Sequence, residues 1–322
     1  MKRVDDRKVP DRPSEIRCFC VGRNEAKRIP EFLKYHKQLG VNRFFYIDNN
    51  SGDESVDLLL RDESVHIWST DQAYQESRFG VDWQHALLKQ FGVGHWCLLL
   101  DIDEFFYFPY CDQGRAFDDF LGVLDFYNYV GVKSMMLDMY SDRSIDQTVL
   151  LPSESLFELC PFFDRPKYLP LFFQRDIPRF GSIYHQGVRS RLFSNPANVR
   201  KYILIKYYSG MQFNVGHHHF IGQGKTIAKI RTFIFHFKFI KGFIEYSRES
   251  IKRKCHWNTS SEYKSYLNKL EMVPDLILYD RKASIRYSNT DTLIKEKIVL
   301  PAGLGGGLSG LFDYLLNIVL RE

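Results

Sequence analysis

The chain has 322 residues, 44% hydrophobic and 26% charged, which suits one large globular domain with ample material for a core. Its formal net charge of +5 hides an asymmetry: residues 1–160 carry 18 Lys+Arg against 27 Asp+Glu, and residues 161–322 carry 26 against 12. The basic residues of the second half are scattered among aromatics, which argues against a nucleic-acid recognition helix and for an anionic partner such as a pyrophosphate, a lipid headgroup or an acidic glycan.

Residues 1–14 are charged, contain Pro10 and Pro13, and read as a flexible arm with no signal peptide. Ile16 to Val21 forms a strand, followed by Asn24 and Glu25. A helix runs from Pro30 to Leu39, with Phe32, Leu33, His36 and Leu39 on one face and Gly40 closing it. The strand Arg43 to Ile47 runs into the polar group Asp48 to Asp53, where Ser51 or Asp53 caps the helix carrying Val56, Leu58, Leu59 and Leu60. A third strand, Val65 to Trp68, and a helix over Phe79 to Phe91 lead to the apolar run Trp96 to Leu100. Strand and helix therefore alternate four times, the pattern of a mostly parallel, Rossmann-like α/β sheet flanked by helices.

Beyond Glu104 come a helix over Phe117 to Phe126 and a strand from Val130 to Met136 that ends at Asp138. Residues 141–180 read as loops. Short strands are expected at Ile183 to His185, Val188 to Phe193, Gly216 to Phe220 and Phe233 to Phe239, then basic helical residues from Gly242 to Lys254. A short amphipathic helix is expected over 309–320. The apolar stretch from Ile298 to Leu320 is broken by five glycines and Asp313, so it is not a transmembrane span. The six cysteines contain no CxxC pair, and Cys18, Cys20 and Cys97, on expected strands, read as buried, reduced thiols, hence a cytoplasmic setting.

The most informative stretch is Leu100-Asp101-Ile102-Asp103-Glu104. Period-2 alternation puts Asp101 and Asp103 on one face at the end of a buried strand, close enough to share one divalent cation. In a parallel sheet the polar ends Asn24-Glu25, Asp48-Asn49 and Asp101-Asp103 lie along one edge, where open α/β folds bind ligands. Magnesium or manganese there accepts carboxylate and phosphate oxygens together and neutralises a diphosphate leaving group. No P-loop and no GxGxxG is present.

The segments Arg23-Asn24-Glu25, Phe32-Leu33-Lys34-Tyr35-His36, Tyr46 to Asp53 and Asp101 to Phe105 together resemble a group of bacterial family-2-like glycosyltransferases. Phe235-His236-Phe237-Lys238, His256-Trp257-Asn258 and Glu262 to Tyr266 extend the resemblance to about residue 290. It implies a GT-A fold: a nucleotide-sugar-binding core over 15–145, an acceptor-side α+β part over 146–290 and a tail over 291–322. It also implies inverting, metal-assisted transfer, with UDP the favoured nucleotide, to a glycan or lipid-linked acceptor in polysaccharide biosynthesis. Carried over, Asp48 contacts the base or ribose, with Asn24, Glu25, Asn49 and Asp101 beside it. Asp101 and Asp103 hold the metal, with His236 as third ligand and His218 and His219 in reserve. Asp138 is the candidate base, in competition with Asp142 and Glu104, and Lys238, Arg189 and Arg191 are candidates to meet phosphate. A nucleotidyltransferase on a similar sheet and a non-catalytic glycan- or lipid-binding protein are the rival readings. The basic half and the tail raise the expectation of peripheral contact with an anionic membrane surface.

Overall fold

The computed structural model describes residues 1–174, 184–193, 198–221, 226–253 and 257–301. Ile183, Cys255, His256 and the helix expected over 309–320 lie outside the described residues.

Along the chain run β1 (Lys2–Arg3), β2 (Arg17–Gly22), α1 (Ile29–Leu39), β3 (Arg43–Asp48), α2 (Ser55–Leu60), β4 (Val65–Ser69), α3 (Val81–Phe91), β5 (Trp96–Asp101) and β6 (Glu104–Tyr107). Next come α4 (Phe117–Phe126), β7 (Tyr129–Asp138), α5 (Leu156–Leu159), β8 (Phe162–Asp164), α6 (Leu169–Gln174), α7 (Val188–Leu192) and β9 (Arg200–Lys206). The last are β10 (Gln212–Phe213), β11 (Phe220–Ile221), β12 (Thr226–His236), α8 (Phe243–Arg253), α9 (Trp257–Met272), β13 (Ser284–Arg286) and α10 (Thr290–Lys295).

Nine strands form one mixed sheet in the order β1-β4-β3-β2-β5-β9-β7-β12-β6. β4, β3, β2 and β5 are parallel neighbours, and β7 and β12 pair in parallel. β9 runs antiparallel to both β5 and β7, so β7 and β12 point the same way as β5. Six strands thus end on one edge of the sheet.

The alternation in β2, β3 and β5 divides the core into two layers. Cys18, Cys20, Phe44, Tyr46, Leu98 and Leu100 pack with Phe32, Leu59 and Phe120 on one face. Phe19, Phe45, Ile47, Cys97 and Leu99 pack with Trp83, Leu87 and Leu88 of α3 on the other. The five described cysteines are free thiols, and Cys18, Cys20, Cys97 and Cys160 are buried. A third cluster joins Tyr140, Val188, Phe193, Phe239, Phe243, Tyr263 and Tyr266, and it seats α8 and α9 over the sheet edge.

Four expectations need correction. The first residues are no free arm: β1 pairs with β4, Asp5 is buried and accepts from the Ile67 amide at 2.7 Å, and Arg7 donates to the Val65 carbonyl at 3.0 Å. Val188 to Leu192 is helical, because Arg189 and Arg191 are drawn to Asp138 and Asp164 on opposite sides of one turn. Residues 141–180 include α5, β8 and α6 rather than loops alone. Ser51 does not cap α2; its hydroxyl accepts from the Asn24 amide at 2.9 Å, while Asp53 accepts from the Ser55 amide at 3.0 Å.

Candidate active site

β2 lies between β3 and β5, so the connections leave it in opposite directions. The crevice outside the carboxyl ends at such a switch point is where open α/β sheets bind ligands. Here Gly22 pairs with Asp48 and Val21 with Asp101, which sets the loop 23–25 between Asp48 and the Asp101–Asp103 turn. A cleft of about 1070 Å³ opens there, walled on one side by Arg23 to Glu25, Asp101 and Asp103, and on the other by Tyr246, Glu249 and Glu262 of α8 and α9.

The first wall is held by its own loops. The Asn24 side-chain oxygen accepts from the Gly52 amide at 2.8 Å, and the Glu25 amide donates to Ser55 Oγ at 2.8 Å. Asn49 is committed: its amide nitrogen donates to the carbonyls of Thr70 and Gln72 at 3.2 and 3.0 Å. Asp48 differs. One oxygen accepts from the Ser51 amide at 3.1 Å, and Oδ1 is buried with no hydrogen-bond partner among the described residues. A buried carboxylate oxygen left unpaired is costly, and Asp48 stands just behind the cleft lining, next to Asn49, which does line it. Gly22 is required beside it, since a Cβ there would lie 2.1 Å from the Tyr46 hydroxyl.

The second wall is a chain of alternating charges. His236 ends β12 in register with Asp138 at the end of β7. Its Nδ1 lies 2.7 Å from Asp138 and its Nε2 3.2 Å from Asp103. Arg189 donates to the other Asp138 oxygen at 2.7 Å and lies 3.5 Å from Glu262, which is 3.6 Å from Lys238. For Asp103, Asp138, His236, Arg189 and Lys238 burial works against the charged form, yet the partners win. Asp103 sits well below the usual carboxylate range because His236, Arg28 and Lys238 face it, and Asp103 and Asp138 hold His236 up at about 9. Glu25 goes the other way: burial, then the charges of Asp103 and Asp101, outweigh its 2.8 Å pair with Arg28 and push it to about 7.

The donor set at Asp103 and His236 fits a hard divalent ion. Two ligand atoms about 2.1 Å from one ion at near-right angles lie roughly 3 Å apart, close to the separation found between Asp103 and His236. The Asp138 bond to Nδ1 is the carboxylate–histidine arrangement that fixes the tautomer and leaves Nε2 to face a metal. Among the described residues no three His, Cys, Asp or Glu side chains form a complete ion-holding group.

Asp138 is therefore poorly placed as a base: both oxygens are paired, its side chain is buried, and it does not line the large cleft. Glu104 is buried against Lys201 and accepts from the Asp101 amide at 3.3 Å, and Asp142 is exposed away from the cleft. Neither His218 nor His219 approaches Asp103: His218 Nδ1 lies 2.5 Å from the Arg200 carbonyl and His219 Nε2 2.7 Å from the Arg200 guanidinium. Arg191 pairs with Asp164, outside the cleft. Lys238 does line it, its ammonium 4.7 Å from the Tyr263 ring.

Sequence patterns gave no site role to Lys201, Arg28 or Tyr246, and marked Glu262 only as part of a resemblance motif. Lys201, buried at the start of β9, reaches both Asp101 (3.5 Å) and Glu104. Only its place at the head of an apolar run, Tyr202 to Ile205, hinted at a strand-end charge.

No protein-family model matches the chain. Over 106 residues it is 38% identical to a Ricinus communis protein named as glycosyltransferase family 92, covering 31% of this chain and 18% of that protein. An Arabidopsis thaliana family 92 protein is 36% identical over 92 residues (27% and 15%), and an Oryza sativa subsp. japonica one 32% over 105 residues (30% and 17%). These relatives are glycosyltransferases by name. The chain spans less than a fifth of their length, and the family they name is 92, not the family-2-like group its motifs resemble. Among solved structures, a putative glucose-1-phosphate thymidylyltransferase from Bacillus anthracis matches at a TM-score of 0.26 and 12% identity, covering 44% of this chain and 65% of that one. Among the described residues no helix is long and apolar enough to cross a membrane.

Proposed function

We propose that this chain is a glycosyltransferase that moves a sugar from a nucleotide-diphosphate sugar to a glycan or lipid-linked acceptor, on a GT-A-like sheet. The observation that carries the reading is the meeting, at one switch point, of an unpaired Asp48 oxygen with the Asp103–His236 pair. The family 92 names of its relatives support the same reaction class. In this reading Asp48 accepts a hydrogen bond from the base or ribose of the donor. Asp101, Asp103 and His236 hold Mg²⁺ or Mn²⁺. When bound, that ion neutralises charge on the departing diphosphate.

Lys201 holds Asp101 and Glu104 in place through its ammonium, and Asp138 orients His236 rather than taking the acceptor proton. Tyr246, exposed on the α8 wall, and Glu262 face the space where an acceptor enters.

The test is donor turnover. The purified chain is incubated with manganese and, separately, UDP-glucose, UDP-galactose, UDP-N-acetylglucosamine and GDP-mannose, and released nucleotide is measured. Slow release is expected from at least one donor, falling by about 10²–10³-fold in Asp103→Ala, the scale of losing one preorganised electrostatic contact. Absence of release from every donor contradicts the proposal.

A further inference from the structure

The turn Asn214–His219 between β10 and β11 packs against the start of β9, and His217 and His218 line the cleft beside Lys201. Gly216 and His217 are consecutive left-handed residues, with φ of 68° and 55°. The first must be glycine, because a Cβ would lie 2.8 Å from His218 Nε2. The second is a histidine, which like asparagine enters this region more often than most side chains do, and it lines the cleft.

The His217 ring is buried, 7% exposed, and lies 5.6 Å from the Phe213 ring. Its backbone amide donates to the Asn214 carbonyl at 3.1 Å, but neither ring nitrogen has a hydrogen-bond partner among the described residues. His218 and His219 are both occupied by Arg200, so the three histidines are not equivalent. Burial, followed by the nearby Lys201, His218 and Arg78, pulls His217 down to about 3. At neutral pH it is an uncharged imidazole, too weak a base for the acceptor proton and without charge to offer a diphosphate. It can still donate one hydrogen bond and accept another, which suits a hydroxyl group.

We infer that His217 hydrogen-bonds a hydroxyl of the transferred sugar in the donor, and so sets which sugar nucleotide the cleft prefers. This rests on the transferase reading above. A site built to bond a substrate hydroxyl discriminates strongly, because its buried polar group is left unpaired by the wrong sugar.

The test compares wild type with His217→Ala and His217→Asn; asparagine tolerates the left-handed backbone and keeps a hydrogen-bonding amide. Calorimetric affinities are measured with manganese for UDP, UDP-glucose, UDP-galactose and UDP-N-acetylglucosamine. UDP affinity is expected to stay within about 2-fold in both variants, while the preferred UDP-sugar weakens by about 5–20-fold in His217→Ala and less in His217→Asn. Equal weakening of UDP and UDP-sugar, or no change in either, overturns the assignment. If His217→Ala does not fold, the Asn variant decides by the same ratio: an unchanged order of preference among the three sugars overturns it. Wild type that binds none of these nucleotides overturns the UDP-sugar form of the transferase reading on which this assignment rests.

Discussion

The two walls of the cleft are built on different principles. On the side proposed to meet the nucleotide, Asn24, Asp48 and Asn49 are held by backbone groups within one or two loops, so each is nearly independent of the others. On the side proposed to hold the metal, Asp103, His236, Asp138, Arg189, Glu262 and Lys238 form one chain of alternating charge that crosses β7, α7, β12 and α9. The first arrangement tolerates loss of a member, whereas the second does not. A buried charge is stable only while its partner is present, so deleting one group leaves the next uncompensated.

The strongest way to break this contrast is Arg189→Met. It leaves one of the two buried Asp138 oxygens without its partner and is expected to cost about 3–5 kcal/mol in urea unfolding, with Asp138→Leu/Arg189→Met recovering a large part. Simple additivity of the two single changes would show that the charge chain is not coupled.

The next concerns Asp5, beneath β4. Burial alone would raise its pKa, but bonds from Arg3, the Ile67 amide, His66 and the Arg7 amide lower it from 3.8 to about 2. A carboxylate depressed on folding stabilises the protein above its unfolded pKa, and that stability is lost as pH falls through the folded value. The stability gap between wild type and Asp5→Asn is therefore expected to be about 2 kcal/mol above pH ~5 and to vanish near pH ~2. A gap that does not change with pH would assign the effect to packing.

On the nucleotide wall, Asp48→Ala is expected to weaken UDP by about 5–30-fold while moving stability by less than about 1 kcal/mol. A large loss of stability with unchanged UDP affinity would make Asp48 a structural residue. The smallest effect belongs to the surface pair Lys206–Asp125, 2.7 Å apart with both side chains exposed. Lys206→Ala is expected to shift stability by no more than about 0.5 kcal/mol.

The same contrast explains what could be read from the residues. The nucleotide wall is legible because β2, β3 and β5 are apolar runs that stop on polar residues, and adjacent parallel strands align those stops without further information. Asp101 and Asp103 were placed on this edge in that way, whereas His236, at the end of β12, entered through the family resemblance. The metal wall depends on pairing between distant segments. β9 begins with Arg200 and Lys201, and its order between β5 and β7 has no local mark. Val188 to Leu192 is too short for period to separate helix from strand, and its conformation follows from ion pairs to Asp138 and Asp164. The position of Asp138 at the sheet edge was legible, but its pairing with His236 and Arg189 was not, and that pairing leaves neither oxygen open to act as a base.

The most direct test of the account is a calorimetric titration of UDP with and without manganese, on wild type and Asp103→Ala. If Asp103 and His236 hold an ion that meets the diphosphate, manganese tightens UDP on wild type by about 10-fold or more and does nothing for the variant. Identical UDP affinity on wild type with and without manganese would contradict it.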